Sequence, residues 1–227
     1  MNIVDTPIPD FDIYIGKPGT VYAKRGAHDS LASIYEQGYL PYSGTAGLQN
    51  IFYTARSVRI ALEEFSLSSE NRRIARKFDG TFTKERIPFS AFMPDESFWD
   101  FCLSYFATKH GPRAMPRARL ETIMHSSLIT AIVAYRKDAD VAAYVLEVED
   151  GAMGHFWFSF YDLAYARQSL GMWLMLDNLR DAQARGLAHY YLGTVYGDKA
   201  FYKLNFAPAE WWDESHWSRD IERLKHS

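Results

Sequence analysis

Three consecutive apolar runs constrain the fold of this chain more than any other feature. They span residues 129–135, 141–148 and 155–161, and only short polar segments, 137–140 and 149–151, separate them. Runs that are almost continuously apolar over this length are typical of strands covered on both faces. Because the polar segments are short, the pattern predicts three strands joined as antiparallel hairpins.

Helical patterns flank these strands. Apolar residues recur at helical spacing over 98–106 and 116–124 before the strands, and over 165–185 after them, where Gly186 can end the helix. The elements that follow are a strand over 188–195, an element over 201–206, a further strand and a terminal helix over 217–225. This order is similar to the layout of the GNAT acyltransferases. The resemblance implies two central strands that splay apart, with the acyl donor in the cleft between them.

The N-terminal part follows a different pattern. Residues 1–20 contain three prolines and are predicted to be an irregular lead-in, while the stretch 87–94 predicts a boundary. The predicted elements between them are strands at 21–23, 51–53 and 57–62 and helices at about 30–35 and 70–78. The predicted fold class is therefore α+β. A GNAT-like acyltransferase domain with a mixed central sheet and flanking helices takes residues 93–227, and a smaller N-terminal α/β domain takes 1–92.

Charge and cysteine content exclude several classes of function. The net charge is −3, so contact with nucleic acid must come from local basic patches rather than from a global field. Cys102 is the only cysteine, which excludes a disulfide framework and a cysteine-built metal or iron–sulfur site within one chain. It lies on an apolar helical stripe and is interpreted as an inert core thiol rather than a nucleophile. No signal peptide and no membrane span are recognised, so the cytoplasm is the expected compartment.

Four short motifs carry a more specific resemblance. Phe-Tyr-Asp stands at 160–162, Ser-Leu-Gly at 169–171, Tyr-Tyr-Leu-Gly at 190–193, and a Lys/Tyr-Lys/Phe/Pro run at 199–208. Their order and spacing resemble the C-terminal domain of the arginyl-tRNA–protein transferases and their bacterial relatives, the aspartate/glutamate leucyltransferases. The segment 65–73 also resembles a Ser- and Arg-rich segment of that family, and the likeness covers roughly residues 30–210.

The resemblance implies a reaction and its partners. Such an enzyme moves Arg or Leu from an aminoacyl-tRNA to the N-terminal amine of a protein or peptide that begins with an acidic residue, which tags it as an N-degron. No cofactor and no metal are implied, and a monomer is favoured, with the oligomeric state left open. This chain departs from the family in having no cysteine before Cys102, so cluster-based redox control is not expected.

The candidate catalytic residues follow the third strand. Asp162 is expected at the mouth of the cleft, where it would hold the amine of donor or acceptor; the alternative is a helix N-cap or turn carboxylate. Tyr161 and Tyr191 are the other catalytic candidates. Tyr191, Tyr196 and Tyr202 are candidates for stacking on adenine or donating to an oxyanion, or else are core and rim aromatics.

The remaining candidates bind substrate. Ser169 and Gly171 lie where a GNAT fold places its phosphate-binding turn, although a lone glycine in a helix is often a packing residue. Arg167, Lys199 and Lys203 are candidates for the acceptor carboxylate. The predicted tRNA contacts are Arg59, Arg72, Arg73, Arg76 and Lys77, of which the last four form one basic helical face. His155 is interpreted as a packed histidine before a general base.

Three other functions stay open on the sequence. The first is acetyl-CoA-dependent N-acetylation on the same fold, although the pattern at 168–173 matches the coenzyme A motif only partly. The second is aminoacyl transfer to a small metabolite. The third is a non-catalytic relative that binds tRNA or a degron, which the absent cysteines suggest.

Overall fold

The structure is a computed structural model that describes residues 1–3 and 20–226. These residues form two sheets and the helices that cover them. The strands are β1 (Asn2–Ile3), β2 (Tyr22–Lys24), β3 (Tyr39–Pro41), β4 (Ile51–Thr54), β5 (Ser57–Ala61), β6 (Thr83–Pro88), β7 (Ala131–Lys137), β8 (Asp140–Asp150), β9 (Met153–Tyr161), β10 (His189–Thr194), β11 (Ala209–Trp212) and β12 (Trp217–Ser218). The helices are α1 (Leu31–Glu36), α2 (Ser69–Phe78), α3 (Glu96–His110), α4 (Arg117–Met124), α5 (Leu170–Ala184) and α6 (Ile221–Lys225).

The larger sheet is mixed, as predicted. Its order is β12-β11-β5-β10-β9-β8-β7-β6, and every neighbouring pair is antiparallel except β9 and β10, which are parallel. The two predicted hairpins, β7–β8 and β8–β9, are confirmed. Their hydrogen bonding leaves the strands β7 to β10 in the middle of the sheet, where covering on both faces explains their apolar character.

The parallel pair separates after three residues. Met153 to His155 of β9 pair with His189 to Tyr191 of β10, and the pairing ends there. Beyond this point β9 continues alongside β8, while β10 continues alongside β5. The two strands therefore enclose a V-shaped opening, which we call the V, with its closed end at His155 and Tyr191. The predicted splay is confirmed.

Helices cover both faces of the larger sheet. On one face Tyr144 of β8 packs edge-on against Phe98 of α3, with ring centroids 5.0 Å apart. On the other face Tyr135 of β7 packs against Trp173 of α5 at 5.4 Å. Ala143, the partner of Tyr135 in the register, is adjacent to Tyr144, so the two tyrosines point to opposite faces. Helix α2 packs beside α5.

The smaller sheet lies against the larger one near the closed end of the V. Its order is β1-β2-β4-β3, with every pair antiparallel, and α1 packs with it. Its apolar core includes Val148, Met153 and Tyr191 from the larger sheet. The N-terminal elements therefore share a buried core with the strands that form the V.

Local signals predict most of the helix starts. Ser68 accepts a hydrogen bond from the Asn71 amide at 3.1 Å, and its own amide donates to the Asn71 side chain in return, a capping box that begins α2. The Asp95 carboxylate caps α3, accepting from the Phe98 amide at 2.9 Å. Both helices were expected within a few residues of their observed bounds.

Two helix starts differ from the prediction. The helix expected from Tyr165 begins at Leu170, because Ser169 adopts a left-handed conformation with φ 72° and separates a 3-10 segment, Leu163–Gln168, from α5. The terminal helix begins at Ile221 rather than at Trp217, since Trp217 pairs with Trp212 in the sheet. The expected irregular lead-in falls mostly on residues 4–19, outside the described ones.

The larger sheet extends across the predicted boundary at 92/93. Strand β5 lies between β10 and β11, and β6 forms the edge beside β7, so two strands from the N-terminal side complete it. The division into two domains stays a prediction. Of the helices in the described residues, none has both the length and the apolar character that crossing a bilayer requires.

Candidate active site

Tyr161 and Gly171 meet at the open end of the V. A methyl group built on Gly171 would lie 3.1 Å from the Tyr161 ring, so the glycine allows the first turn of α5 to approach the end of β9. The Tyr161 hydroxyl accepts a hydrogen bond from Lys109 Nζ, and its ring packs against Tyr105 with centroids 4.9 Å apart. Both interpretations of Gly171, packing residue and part of a phosphate-binding turn, are compatible with this position.

The start of α5 presents backbone amides near this mouth. Ser169 precedes the helix, and its carbonyl accepts from the Met172 and Trp173 amides, each at 3.1 Å. The first turn of a helix carries N–H groups without an intrahelical acceptor and a positive partial charge. Arg167 is exposed just before it. This arrangement is chemically suited to an anion such as a phosphate.

Lys203 reaches the V from a 3-10 segment, Asp198–Asn205. Its Nζ donates to the Thr194 carbonyl of β10 at 2.6 Å. A methyl group built on Gly193 would lie 3.6 Å from Lys203 Nζ and 3.9 Å from His155 Nε2. The lysine nitrogen and the histidine ring therefore both approach Gly193, where β10 bulges away after the closed end of the V.

His155 is a buried residue at the last paired position of β9, with 2 % of its surface exposed. Its Nδ1 forms a hydrogen bond of 2.9 Å with the Tyr35 hydroxyl of α1. Burial, with a smaller contribution from the nearby Lys203, lowers the pKa of His155 to about 3. The ring is therefore neutral near pH 7. His155 is a packed histidine, as the sequence indicated, and it lies at the closed end of the V.

Tyr191 and Arg59 lie together at the closed end and inside the protein. Arg59 Nη1 donates to the Tyr191 hydroxyl at 3.1 Å, and Arg59 Nε donates to Glu210 at 2.9 Å. Arg59 is only 5 % exposed, so its charge is neutralised within the fold. It is not part of the basic surface with which the sequence grouped it. Burial raises the pKa of Tyr191 to about 12, which keeps the hydroxyl protonated.

Asp162 lies at the end of β9, one residue beyond the mouth of the V. Its Oδ1 accepts from the Ala164 amide at 2.9 Å, so the carboxylate caps the 3-10 segment that follows. This is the capping alternative that the sequence left open. A shallow surface depression beside the β7–β8 turn is lined by Asp162 and Tyr165 among others. The catalytic assignment stays a prediction.

The other aromatic and basic candidates on the C-terminal side lie at the surface or in a loop. Tyr196 is partly buried, and its hydroxyl accepts from the Arg56 amide at 2.9 Å. Tyr202 is 40 % exposed and Lys199 is exposed. Both belong to the segment that carries Lys203, so this segment brings three of the substrate-binding candidates together.

The basic face of α2 is observed as predicted, on the solvent side of the helix. Arg72, Arg73, Arg76 and Lys77 are all exposed. Arg73 forms two hydrogen bonds with Glu70, at 2.7 and 2.6 Å. Lys77 Nζ donates to the Gln168 carbonyl at 3.4 Å, which places this face next to the start of α5.

Sequence reasoning missed the contacts that complete the site. Tyr35, Tyr105 and Lys109 come from α1 and α3, and no local pattern distinguishes them from ordinary helix residues. Cys102 is buried, and burial raises the pKa of its thiol, in agreement with a core role. Among the described residues, no group of three or more His, Cys, Asp or Glu side chains is arranged to hold a metal ion.

Known proteins resemble this chain in sequence over most of its length. The family model described as acetyltransferase (GNAT) domain matches residues 100–204. The aspartate/glutamate leucyltransferase of Hyphomonas neptunium is 31% identical over 197 residues, 78% of this chain and 76% of that protein. The protein of the same name from Methylorubrum extorquens is 30% identical over 210 residues, 82% of this chain and 81% of that protein.

One solved structure gives a weaker likeness. The structure of L-PGS from Bacillus licheniformis aligns with a TM-score of 0.47 and 11% identity, over 74% of this chain. This chain spans about half of that one, 51%.

Proposed function

Since this chain belongs to the aspartate/glutamate leucyltransferase family, we propose that it transfers an aminoacyl group from tRNA to the N-terminal amine of a protein that begins with Asp or Glu. Leucine is the first candidate for the transferred residue, because the relatives are named for it; arginine is the second. The proposed consequence is N-degron tagging in the cytoplasm, with the chain acting as a monomer and without a cofactor.

The observation that carries the proposal is the breadth of the sequence match. Identity of about 30% extends over roughly four fifths of both chains. A transferase with a GNAT-type domain is the part that the matches establish. The V supports the finer proposal by offering a place where an acyl group and an amine can meet.

The proposed reaction is the aminolysis of an ester. The acceptor amine attacks the aminoacyl carbonyl carbon, a C–N bond forms, and the bond to the tRNA 3′ oxygen breaks. The amine loses one proton and the departing oxygen gains one. Because the ester is already activated, alignment of the two reactants can supply most of the acceleration.

The observed positions support a division of roles. The start of α5, with Ser169 and Gly171, would bind the 3′ end of the tRNA, and the basic face of α2 beside it would bind phosphates further along. Lys199, exposed on the segment 198–205, and Arg167 are available for the acceptor carboxylate. Tyr202, which is 40 % exposed, is the proposed stacking partner of a base. Asp162 is the proposed partner of an ammonium group.

A transfer assay tests the proposal. Radiolabelled aminoacyl-tRNAs, first leucyl and arginyl and then all others together, are incubated with peptides that begin with Asp or Glu. Matched peptides that begin with Asn or Gln are the control, since they differ only in charge. We expect label on the acidic peptides alone. Label on small amines but not on peptides would favour a metabolite acceptor, and binding without transfer would favour a non-catalytic relative.

Acetyl transfer from acetyl-CoA is the second candidate, favoured by the GNAT domain match over residues 100–204. Thermal unfolding with and without coenzyme A distinguishes the two, because a ligand that binds only the folded state raises the melting temperature. We expect no rise with coenzyme A and a rise with a non-hydrolysable aminoacyl-tRNA analogue. The reverse result would replace the proposed donor.

A further inference from the structure

We propose that Lys203 takes the proton from the attacking amine and returns it to the departing 3′ oxygen, with Tyr35 and His155 acting as positioning residues behind it. This inference rests on the function proposed above and deepens it. It differs from the role that the sequence suggested for Lys203, which was to bind the acceptor carboxylate.

The position of the lysine nitrogen places it beside the open part of the V. Lys203 Nζ is anchored to the Thr194 carbonyl at 2.6 Å, on the part of β10 that has left β9. Gly193 has φ 83° and carries no side chain, so the space between Lys203 Nζ and His155 Nε2 is not filled by β10 itself. A group that enters the V between the two strands therefore approaches this nitrogen.

The groups that face the nitrogen leave its charge uncompensated. His155 faces it from β9 and is neutral near pH 7, and Tyr202 of its own segment lies with its ring centroid 6.0 Å away. Within residues 20–226, no carboxylate lies at ion-pair distance from Lys203. Burial without a counter-charge lowers the pKa of Lys203 to about 8. A neutral amine is thus accessible at physiological pH, as a general base requires.

The hydrogen bond between Tyr35 and His155 holds the imidazole ring of His155 in place beside Lys203 Nζ. Tyr35 belongs to α1 and His155 to β9, so the 2.9 Å contact joins α1, which packs with the smaller sheet, to the closed end of the V. Without it the imidazole could turn, or water could enter and solvate the ammonium form. Either change would move the pKa of Lys203 back towards its ordinary value.

The proton balance needs no further reactant. The neutral amine of the acceptor forms the C–N bond while Lys203 Nζ receives one of its protons and becomes an ammonium. As the C–O bond breaks, the same proton passes to the 3′ oxygen, which leaves as a hydroxyl. Lys203 ends neutral, ready for the next cycle.

The two roles of Lys203 predict different results for Lys203→Arg. Arginine keeps the positive charge but does not give up its proton at working pH, so it can replace a carboxylate clamp but not a base. We expect kcat for transfer to fall by about a hundredfold or more. The KM for the acidic peptide should stay within about twofold, and the rise of kcat through pH 8 should disappear. Lys24→Arg, at an exposed lysine of β2 to which no role in the site is assigned, is the matched control and should keep the wild-type pH profile.

A second variant and an activity-free measurement keep the test decisive. Lys203→Met retains the length without a charge and should lose kcat to the same extent. Because burial lowers the pKa of Lys203 from 10.5 to about 8, the unfolded chain binds more protons between these pH values. The free energy of unfolding should therefore rise with pH there in the wild type, and this contribution should vanish in Lys203→Met. Tyr35→Phe should shift the midpoint of the kcat profile upwards with little change in KM.

The outcomes separate the inference from the proposed function. A wild type that transfers and a Lys203→Arg variant with the same kcat and pH profile would overturn the inference alone. A variant with a higher KM for the acidic peptide and an unchanged kcat would show that Lys203 binds the acceptor carboxylate. This result would also overturn the inference. A wild type that transfers no aminoacyl group would overturn the proposed function, and this inference with it.

Discussion

The salt dependence of tRNA binding follows from the exposed cations of α2. Arg72, Arg76 and Lys77 form no ion pair within the described ranges, whereas Arg73 is held by Glu70 through two hydrogen bonds. Each phosphate contact contributes about 0.7–0.9 to the slope of log affinity against log salt. Replacing Arg72 and Arg76 by Gln should thus flatten the slope by about 1.4–1.8.

This slope change corresponds to a measurable difference in affinity. Between about 50 and 200 mM salt the wild type should lose about tenfold more affinity than the Arg72→Gln/Arg76→Gln double variant. The assay is fluorescence titration of labelled tRNA over this range of salt. Arg73→Gln is the matched control and should change the slope much less, since its charge is already compensated.

Two results would refute this expectation. If the double variant shows the wild-type slope, the basic face of α2 does not contact the tRNA, whatever the absolute affinity. If Arg73→Gln flattens the slope as much as the double variant, the Glu70 pairing does not screen Arg73 in solution, and the ion-pair pattern of α2 does not set the salt dependence.

Three other predictions concern single side chains. Glu147 is fully buried and accepts hydrogen bonds from Arg86, Arg185 and Tyr190. Glu147→Gln should therefore lower the free energy of unfolding in urea by about 3–5 kcal/mol. Glu149 is partly exposed, so Glu149→Gln should cost less than about 1 kcal/mol; equal losses would contradict this. Asp162→Asn keeps a side-chain oxygen that can accept from the Ala164 amide, so the melting temperature should stay unchanged. The kcat/KM for transfer should fall by about tenfold or more. A variant with full activity would show that Asp162 is not part of the site. Because burial lowers the pKa of His155 from 6.5 to about 3, the unfolded chain takes up a proton first as the pH falls. Between about pH 7.5 and 5 the wild type should therefore lose about 2 kcal/mol of unfolding free energy relative to His155→Gln. Parallel stability curves for these two proteins would show that His155 protonates in the folded state.

Features that depend on residues close together in the sequence could be predicted. The capping serine of α2 indicates where that helix begins before any packing is known, and the almost continuous apolar runs within 129–161 predicted the central hairpins. The strand β6 was missed because its inward side chains are charged. Lys84 pairs with Asp177 and Arg86 with Glu147, so the alternation that identifies a strand is absent.

Contacts between distant residues could not be predicted. Arg59 was predicted to contact tRNA, but it is buried and paired with Glu210, which the neighbouring strand β11 supplies from 151 residues further along the chain. The same holds for Tyr35 and His155, whose hydrogen bond joins α1 to β9 across 120 residues of sequence. The left-handed Ser169 was missed since the apolar spacing continues through it. The residues closest to the candidate site are therefore those whose contacts the local sequence predicts least well.

The position of β5 has a consequence for how the protein is made. This strand is synthesised early, yet both of its neighbours, β10 and β11, come from near the other end of the chain. While the ribosome is still adding the central hairpins, β5 has exposed edges and no partner, a state that invites chaperone binding or aggregation. A truncated product that stops before β10 has the residues for the basic face of α2 but lacks both strands that pair with β5. Completion of the chain and assembly of the V are thus a single late event.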